Sequence, residues 1–250
     1  MAKRIIPCLD IKNSRVVKGK KFQDIQDVAD AIELAKKYEL DHADVLFVLD
    51  ITGEDRPAFL QIVTNIANAI QIPLYVGGGI QTIEDVAEVL EAGATKVSIT
   101  SAAIDRPELL KEASEAFGKD RLILSIDAKE IAPNVWHAFT RGGKNDSGLD
   151  VIEWAKRGEE LGVSEILLNS IDADGVKEGY DLALNQAVKV AVNIPVIASG
   201  GAGEMDHFRQ VLTEGTVDAA LAASVFHYDE IHITDLKEYL LNFNIPVEEI

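Results

Sequence analysis

Short apolar segments alternate with longer amphipathic segments along the whole chain. Eight of the short segments are rich in aliphatic residues and carry few charges, as expected for parallel strands covered by helices. The sequence therefore predicts eight strands, at residues 4–9, 45–49, 74–76, 96–99, 122–126, 165–168, 196–198 and 219–222.

The segments between these strands repeat apolar residues at helical spacing and carry helix-terminal residues at their ends. Thr82 and Asp85 are placed to form a capping box, and Asp105 and Glu108 a second one around Pro107. The clearest predicted helices lie at residues 58–70, 83–92, 107–116, 151–161, 182–192 and 205–214.

Eight strands that alternate with about eight helices in 250 residues predict an α/β fold, a single-domain (β/α)₈ TIM barrel over residues 1–250. A doubly wound sheet is the structural competitor, but that fold has no reason to contain eight evenly spaced units. No linker or low-complexity segment divides the chain.

Three short motifs recur, in the same order, four strands later in the chain. The pairs are CLDIK (8–12) with SIDAK (125–129), VGGGI (76–80) with ASGGAG (198–203), and VSITSAA (97–103) with LAASVF (221–226). Repetition at the level of half the chain predicts an internal duplication, with half-barrels at approximately 1–120 and 121–250.

Composition and charge narrow the classes of function. The chain is 47% hydrophobic and carries a net charge of −18, which disfavours a general affinity for nucleic acid or anionic membranes. No apolar run approaches the roughly 18 residues of a membrane span, and the first ten residues suit a strand rather than a signal peptide. The single cysteine, Cys8, is expected to be buried, and the five histidines show no metal-ligand spacing, so neither a metal nor a cofactor is predicted.

Asp10 and Asp127 are the candidate catalytic residues. They end strands 1 and 5, and active sites of this fold lie at the carboxyl ends of the strands. Two carboxylates that face each other across the mouth suit acid–base chemistry, because different surroundings can keep one ionised and the other protonated.

Two glycine-rich turns predict a pair of phosphate sites on opposite rims of the barrel. Residues 77–79 and 199–201 leave strands and lead to helices, so their N–H groups can approach an anion closely. Thr100 and Ser101 accompany the first turn, and Ala223 and Ser224 the second. The inferred substrate carries a phosphate at each end.

A long insertion follows Asp127 before the next predicted helix. Residues 135–140 suit one strand of a small hairpin, and Gly142 and Gly143 close it. Loops of this length on a compact barrel often have a function.

At this level of detail the chain resembles the cyclase subunit family of imidazole glycerol phosphate synthase, a carbon–nitrogen lyase of histidine biosynthesis. The resemblance covers nearly the whole chain. It rests on motifs that occur in the family's order, among them AKRIIPCLDIK, RVVKG, VGGGI, IDAK, SIDADG, IPVIASGGAG and ALAASVFH.

The resemblance implies a cytoplasmic enzyme and a partner, a glutaminase subunit, that sends ammonia through the barrel. It implies that Asp10 and Asp127 act on a ribulosyl bisphosphate, with Lys18 in a loop that closes over it. Gly79, Thr100 and Ser101 would hold one phosphate, and the other would be held by Asp174, Gly175, Gly201, Ala223 and Ser224. Asn169, Ser170 and Ser199 would line the mouth, and Arg4, Lys96 and Glu165 would form a gate for ammonia at the opposite end.

Several positions depart from the family pattern. Thr100 stands where the family usually has Asn, and Asn169 stands where it usually has Thr. The loop around Lys18 lacks the family's usual residues. Val45 replaces a second gate glutamate and Thr95 an acidic docking residue. The gate would then contain two cations and one anion, a surplus that needs another partner or water.

Three alternatives to the cyclase stay open at this point. One is a paralogue that uses channelled ammonia to amidate another substrate, such as a nucleotide-linked sugar. A second is the related sugar-phosphate isomerase, although RVVKG and the insertion after Asp127 fit the cyclase better. The third is a phosphate-binding scaffold for the glutaminase, which would need neither aspartate.

Overall fold

Strands and helices alternate along the described part of the chain, which comprises residues 2–12, 15–20 and 23–248 of a computed structural model, with side chains described except at 15–20 and 23–29. The strands are β1 (Arg4–Lys12), β2 (Arg15–Lys20), β3 (Gln23–Ala29), β4 (Leu46–Asp50), β5 (Leu74–Gly77), β6 (Lys96–Ile99), β7 (Leu122–Ala132), β8 (Val135–Thr140), β9 (Asn145–Asp150), β10 (Glu165–Ser170), β11 (Val196–Ser199) and β12 (Ala219–Ala222). The α-helices are α1 (Ala31–Leu40), α2 (Arg56–Ala67), α3 (Ile83–Glu91), α4 (Ser101–Asp105), α5 (Glu108–Phe117), α6 (Val151–Glu160), α7 (Leu182–Ala191), α8 (Met205–Thr213), α9 (Ser224–His227) and α10 (Ile233–Asn242).

Eight parallel strands close into a barrel, which confirms the predicted (β/α)₈ architecture. The order around the barrel is β1, β4, β5, β6, β7, β10, β11 and β12, and β12 pairs with β1 to complete the ring. All eight predicted strands coincide with these eight barrel strands. In this ring β1 and β7 are four strands apart, so they lie on opposite sides of the barrel.

Two antiparallel excursions rise from these opposite strands. β2 pairs with the end of β1, and β3 pairs with β2. On the other side β8 pairs with β7, and β9 with β8, so the hairpin predicted after Asp127 is confirmed and continues into a third strand. Both excursions begin at the carboxyl ends of their barrel strands, and the turn after β8 lines the mouth.

Helix ends follow the local signals in part. The Thr82 hydroxyl accepts from the Asp85 amide, and the Asp85 carboxylate accepts from the Thr82 amide, so the first predicted capping box is confirmed. The second is wrong: Asp105 ends α4, and Pro107 occupies the N-cap position of α5 with no side-chain cap. A proline at that turn ends the short helix before Asp105 can cap the next one.

The middle residues of the eight barrel strands are mostly apolar because both faces of these strands are buried. Outward-facing residues such as Leu9, Val48 and Val76 pack under the helices. Inward-facing residues form a second cluster that fills the barrel, with Ile6, Cys8, Phe47, Ile123, Leu167 and Ile197 among its members. Cys8 is 2% exposed, which confirms the predicted buried thiol.

Several backbone features repeat with the predicted half-barrel period. Thr100 (φ −115°, ψ −95°) and Ala223 (φ −123°, ψ −73°) have similar conformations, and each precedes a very short helix. Gly78 and Gly79 match Gly200 and Gly201 in positive φ. The duplication itself stays a prediction, which these parallels support.

None of the helices in the described ranges is both long enough and apolar enough to span a bilayer.

The packed interior generates a stability prediction. Phe47 is fully buried and meets the Tyr75 ring edge-on at a centroid distance of 6.0 Å. Phe47→Ala is expected to lower the free energy of unfolding by about 3–5 kcal/mol, because the barrel wall cannot collapse into the cavity. Urea denaturation measures this, with Phe243→Ala, at a 51% exposed site, as control. Equal losses in the two variants would contradict a close-packed barrel.

Candidate active site at the mouth of the barrel

A cavity of about 800 Å³ opens at the carboxyl ends of the barrel strands. Asp10 and Asp127 both line it, one from each of two opposite strands, so the predicted meeting of the two acids at one mouth is confirmed. Ten predicted substrate-binding residues also line this cavity: Gly79, Thr100, Ser101, Asn169, Asp174, Gly175, Ser199, Gly201, Ala223 and Ser224.

Asp127 is held by a short hydrogen-bond chain on its own side of the barrel. The Asn169 amide donates to the Asp127 carboxylate at 3.1 Å, and the Ser199 hydroxyl donates to the Asn169 carbonyl oxygen at 3.1 Å. Because the amide nitrogen donates to Asp127 and the carbonyl oxygen accepts from Ser199, the orientation of the Asn169 side-chain amide is fixed. Asn169 and Ser199 therefore orient the carboxylate as well as lining the mouth.

Burial raises the pKa of Asp127 to about 6; the Asn169 hydrogen bond lowers it, and the nearby Asp174 charge adds to the rise. A carboxyl group with this pKa exists in both protonation states near neutral pH. It can therefore give or accept a proton during turnover, as general acid–base chemistry requires.

Asp10 has different surroundings. It lies where β1 runs between β4 and β2, opposite Leu49 on one side and Val17 on the other. The Cys8 sulfur lies 3.9 Å from the Asp10 carboxylate, on the same inward face of β1. The two acids thus have unlike neighbours, which is the condition that allows them to take unlike roles.

The first glycine turn is shaped by a close backbone approach. Gly78 and Gly79 have φ values of 88° and 67°, and a Cβ at Gly78 would lie 2.0 Å from the Asp50 carbonyl oxygen. The Asp50 carboxylate in turn accepts from the Thr52 and Gly53 amides. Only glycine fits here, and the turn is held rigidly beside Thr100 and Ser101.

The second glycine turn is built in the same way on the other rim. A Cβ at Gly201 would lie 2.0 Å from the Gly179 carbonyl oxygen, and the Gly179 amide donates to the Gly201 carbonyl at 2.9 Å. Asp174 and Gly175 approach from the turn after β10, where the Asp174 amide donates to the Ser170 carbonyl. Ala223 and Ser224 complete this rim at the start of α9.

Two predicted residues are placed differently from expectation. Ser170 is buried and does not line the cavity; its hydroxyl accepts from the Ala173 amide, so the expectation that it lines the mouth is wrong. Lys18 lies in β2 rather than in a loop, because the excursion after β1 forms a hairpin. The Lys18 side chain lies outside the described part of the chain.

Arg4, Lys96 and Glu165 meet at the opposite end of the barrel. The Glu165 carboxylate pairs with the Arg4 guanidinium at 2.9 Å and with the Lys96 ammonium at 2.6 Å. Burial opposes ionisation of Glu165, but the two cations outweigh it and hold its pKa below the usual value. Two cations therefore share one anion, as predicted from Val45.

Tyr75 is a member of this cluster that the sequence did not indicate. Its hydroxyl donates to Glu165 at 3.1 Å and accepts from Arg4 at 3.2 Å, and its ring lies 5.5 Å from the Lys96 ammonium. Burial and the Glu165 charge raise its pKa, so it stays protonated. A tyrosine in an apolar strand carries no sign of this role, because only barrel closure brings β5 opposite β10.

Asp50, at the end of β4, is a cavity-lining residue that the sequence did not indicate; it lies opposite Ile11, one position beyond Asp10 on β1. Thr95, expected at the docking face, accepts from the Leu74 amide and the Arg121 guanidinium.

Among the described residues, no cluster of three or more histidine, cysteine or acidic side chains is arranged to hold a metal ion.

Comparison with known proteins gives one consistent family. The family described as "Histidine biosynthesis protein" matches residues 4–232. Three relatives are each named "Imidazole glycerol phosphate synthase subunit HisF". The one from Oceanobacillus iheyensis is 58% identical over 99% of this chain and 98% of its own length. Those from Solibacter usitatus and Bacillus cereus are 51% and 50% identical, over 99% of this chain and 98% and 99% of their own lengths.

The raised pKa of Asp127 generates a stability prediction. Between about pH 4 and 6 the native carboxyl holds a proton that the unfolded chain has lost, so ionising it lowers the stability of the native state as the pH rises. Asp127→Asn is therefore expected to raise the free energy of unfolding by up to about 3 kcal/mol at pH 8, and by about half as much at pH 5.

Urea denaturation at the two pH values tests this, with the exposed Asp120→Asn as control. A destabilised Asp127→Asn protein at pH 8 would contradict the raised pKa described for this partly buried group.

Proposed function

Because the chain belongs to the HisF family of histidine-biosynthesis proteins and is a cyclase subunit of imidazole glycerol phosphate synthase, we propose that Asp10 and Asp127 are its acid–base pair. The observation that carries this proposal is the position of both acids on opposite strands of one cavity. In the family reaction, ammonia attacks the carbonyl group of a ribulosyl bisphosphate. Cyclisation and carbon–nitrogen cleavage then release imidazole glycerol phosphate and aminoimidazole carboxamide ribotide.

The two acids divide between them the proton transfers of this reaction. Ammonia loses protons as it becomes the imine and then the ring nitrogen, while the leaving oxygen and nitrogen atoms gain protons. Asp127, with a pKa of about 6, is the member that can hold a proton near neutral pH. Asp10 serves the opposite side of the substrate and completes each transfer.

The two glycine turns position the substrate at its ends. Gly79, Thr100 and Ser101 supply amide and hydroxyl donors to one phosphate, and the turns that contain Gly175, Gly201 and Ser224 supply those for the other. Backbone N–H groups bind phosphate even in a chain with a net charge of −18, because the attraction is local. Gripping both ends brings the reacting carbons between the two carboxylates.

Ammonia reaches the mouth from a glutaminase subunit at the opposite end. The relatives are named as subunits of a synthase, and we infer a heterodimer with the glutaminase. Neutral ammonia can pass between the apolar residues that fill the barrel, whereas an ammonium ion cannot without a large desolvation cost. Arg4, Tyr75, Lys96 and Glu165 form the gate at the lower end. We expect the enzyme to act in the cytoplasm.

Family membership favours the cyclase over the alternatives. An amidating paralogue, the isomerase and a scaffold would each have to share 50–58% identity with proteins named for the cyclase. Both candidate acids line the cavity, whereas a scaffold needs neither.

Turnover with ammonium salt tests the acid–base pair without the partner. The native chain is expected to convert the ribulosyl bisphosphate at high pH, and Asp10→Asn and Asp127→Asn to lose at least about 100-fold in kcat, the usual range for a general acid or base. Asp105→Asn, another carboxylate that lines the cavity, is the matched control and should retain activity. Full activity in either test variant would remove that aspartate from the mechanism.

Comparison of turnover with glutamine, in the complex, and with added ammonium salt tests the gate. Tyr75→Phe removes the hydroxyl that links Arg4 to Glu165, a contact worth about 0.5–1.5 kcal/mol, so closure at the lower end is expected to weaken. In the complex, product formed per glutamine hydrolysed should fall by roughly two- to tenfold. Turnover on added ammonium salt should stay unchanged.

The control for this experiment is Tyr228→Phe, at a 49% exposed site. An unchanged ratio of product to glutamine in Tyr75→Phe would show that the hydroxyl has no part in the gate.

A further inference from the structure

A strained turn borders the first phosphate site. Between β8 and β9, Arg141, Gly142 and Gly143 have φ values of 54°, 64° and 75°, three successive residues in the left-handed region. The turn is closed by a 3.1 Å hydrogen bond from the Lys144 amide to the Thr140 carbonyl. Glycine adopts this conformation readily, but an arginine does so at an energetic cost, and such strain concentrates at functional sites. The residues 141–143 are called the Arg141 turn below.

The first amide of the turn contacts the phosphate site directly. The Arg141 N–H donates to the Ser101 hydroxyl oxygen at 3.1 Å. A hydroxyl has one hydrogen to donate, and this contact occupies one of its lone pairs. The Ser101 O–H is therefore left to donate elsewhere, and the cavity that Ser101 lines is beside it.

The next two amides lie in the same turn. The N–H groups at the start of a helical turn have no partner within the turn, and successive N–H groups in a turn can form an anion-binding concavity. Within the described residues the Gly142 and Gly143 amides donate to no other group, and Gly142 lines the cavity. A Cβ on Gly142 would meet nothing within 4 Å, so close packing does not explain the glycine there.

The charge on Arg141 is also available. Five carboxylates line the cavity, at Asp10, Asp50, Asp105, Asp127 and Asp174, and the positively charged lining residues with described side chains are Arg106 and Arg141. Arg106 already pairs with Glu112. Arg141 forms no ion pair with any residue that the structure describes, although an acidic mouth has to receive a substrate with two phosphates.

We propose that the Arg141 turn is the third wall of the phosphate site at Gly79, Thr100 and Ser101. In this site the turn orients the Ser101 hydroxyl, offers its glycine amides to the phosphate and supplies the Arg141 guanidinium as counter-charge. The proposal rests on the proposed function, because it assumes a phosphorylated substrate in this cavity. This site would then contain residues from both predicted half-barrels, because Gly79, Thr100 and Ser101 lie in the first and the turn between β8 and β9 lies in the second.

Removing the charge without disturbing the turn tests the proposal. Arg141→Gly and Arg141→Asn both tolerate the left-handed backbone, so neither should lower the melting temperature, and Arg141→Gly should raise it slightly. With ammonium salt as nitrogen source, both are expected to raise KM for the ribulosyl bisphosphate roughly tenfold, with a smaller effect on kcat. The effect should shrink as ionic strength rises.

Two comparisons make the result specific. Lys144→Asn removes a neighbouring exposed cation that does not line the cavity, and its KM should stay unchanged. Imidazole glycerol phosphate and aminoimidazole carboxamide ribotide each carry one phosphate, so only one of them places a phosphate beside Arg141. Arg141→Gly should therefore weaken inhibition by only that product. Equal effects of Lys144→Asn and Arg141→Gly, or equal weakening of both products, would overturn the proposal in favour of general electrostatic attraction.

Calorimetric titration with the ribulosyl bisphosphate separates this inference from the proposed function. An active native enzyme whose affinity is unchanged in Arg141→Gly would overturn the inference alone. An inactive native chain that binds the bisphosphate, and loses that affinity in Arg141→Gly, would overturn the cyclase and keep the Arg141 turn as a phosphate-binding element. Failure of the native chain to bind the bisphosphate would overturn both.

Discussion

The closure of eight parallel strands into a ring is the constraint on which the rest of the structure depends. Because β12 pairs with β1, the strands that carry Asp10 and Asp127 must lie on opposite sides of one barrel, with their carboxyl ends at the same rim. The same closure brings the starts of β1, β5, β6 and β10 together at the other end, where Arg4, Tyr75, Lys96 and Glu165 meet. One hydrogen-bonded ring therefore creates both the mouth and the charged cluster at the opposite end.

The two ends handle charge in opposite ways. Among the described residues that line the mouth the carboxylates outnumber the cations, and two glycine turns hold backbone segments in place at the rim. At the opposite end the Glu165 carboxylate is buried and paired with both cations, and the Tyr75 hydroxyl bridges it to Arg4. Polar groups in such a setting are stable only when each finds a partner, which explains why the cluster is so tightly connected.

The asymmetry between the two acids arises from their neighbours and not from the repeated motif. CLDIK and SIDAK place an aspartate at equivalent positions, yet Asp127 receives a hydrogen bond from Asn169 on the adjacent strand, while Asp10 lies beside Cys8 on its own strand. A duplicated half-barrel can supply two equal carboxylates, and substitutions on the flanking strands then make them unequal. Division into two proton-transfer roles requires this second step.

The sequence by itself determined the barrel, the eight strand positions, the pair of acids and the glycine turns. These features are local: apolar runs bounded by turn residues specify strands, and glycines are needed wherever a Cβ would strike a carbonyl, as at Gly78 and Gly201. The tertiary structure alone decided which side chains meet across strands. Tyr75 joins the cluster of Arg4, Lys96 and Glu165 through a contact with a residue distant in sequence. Ser170 turns away from the mouth to accept from the Ala173 amide, and Asp105 fails to cap α5 beside a proline. The contact between Arg141 and Ser101 belongs to the same class, since it joins residues 40 positions apart that no periodicity relates.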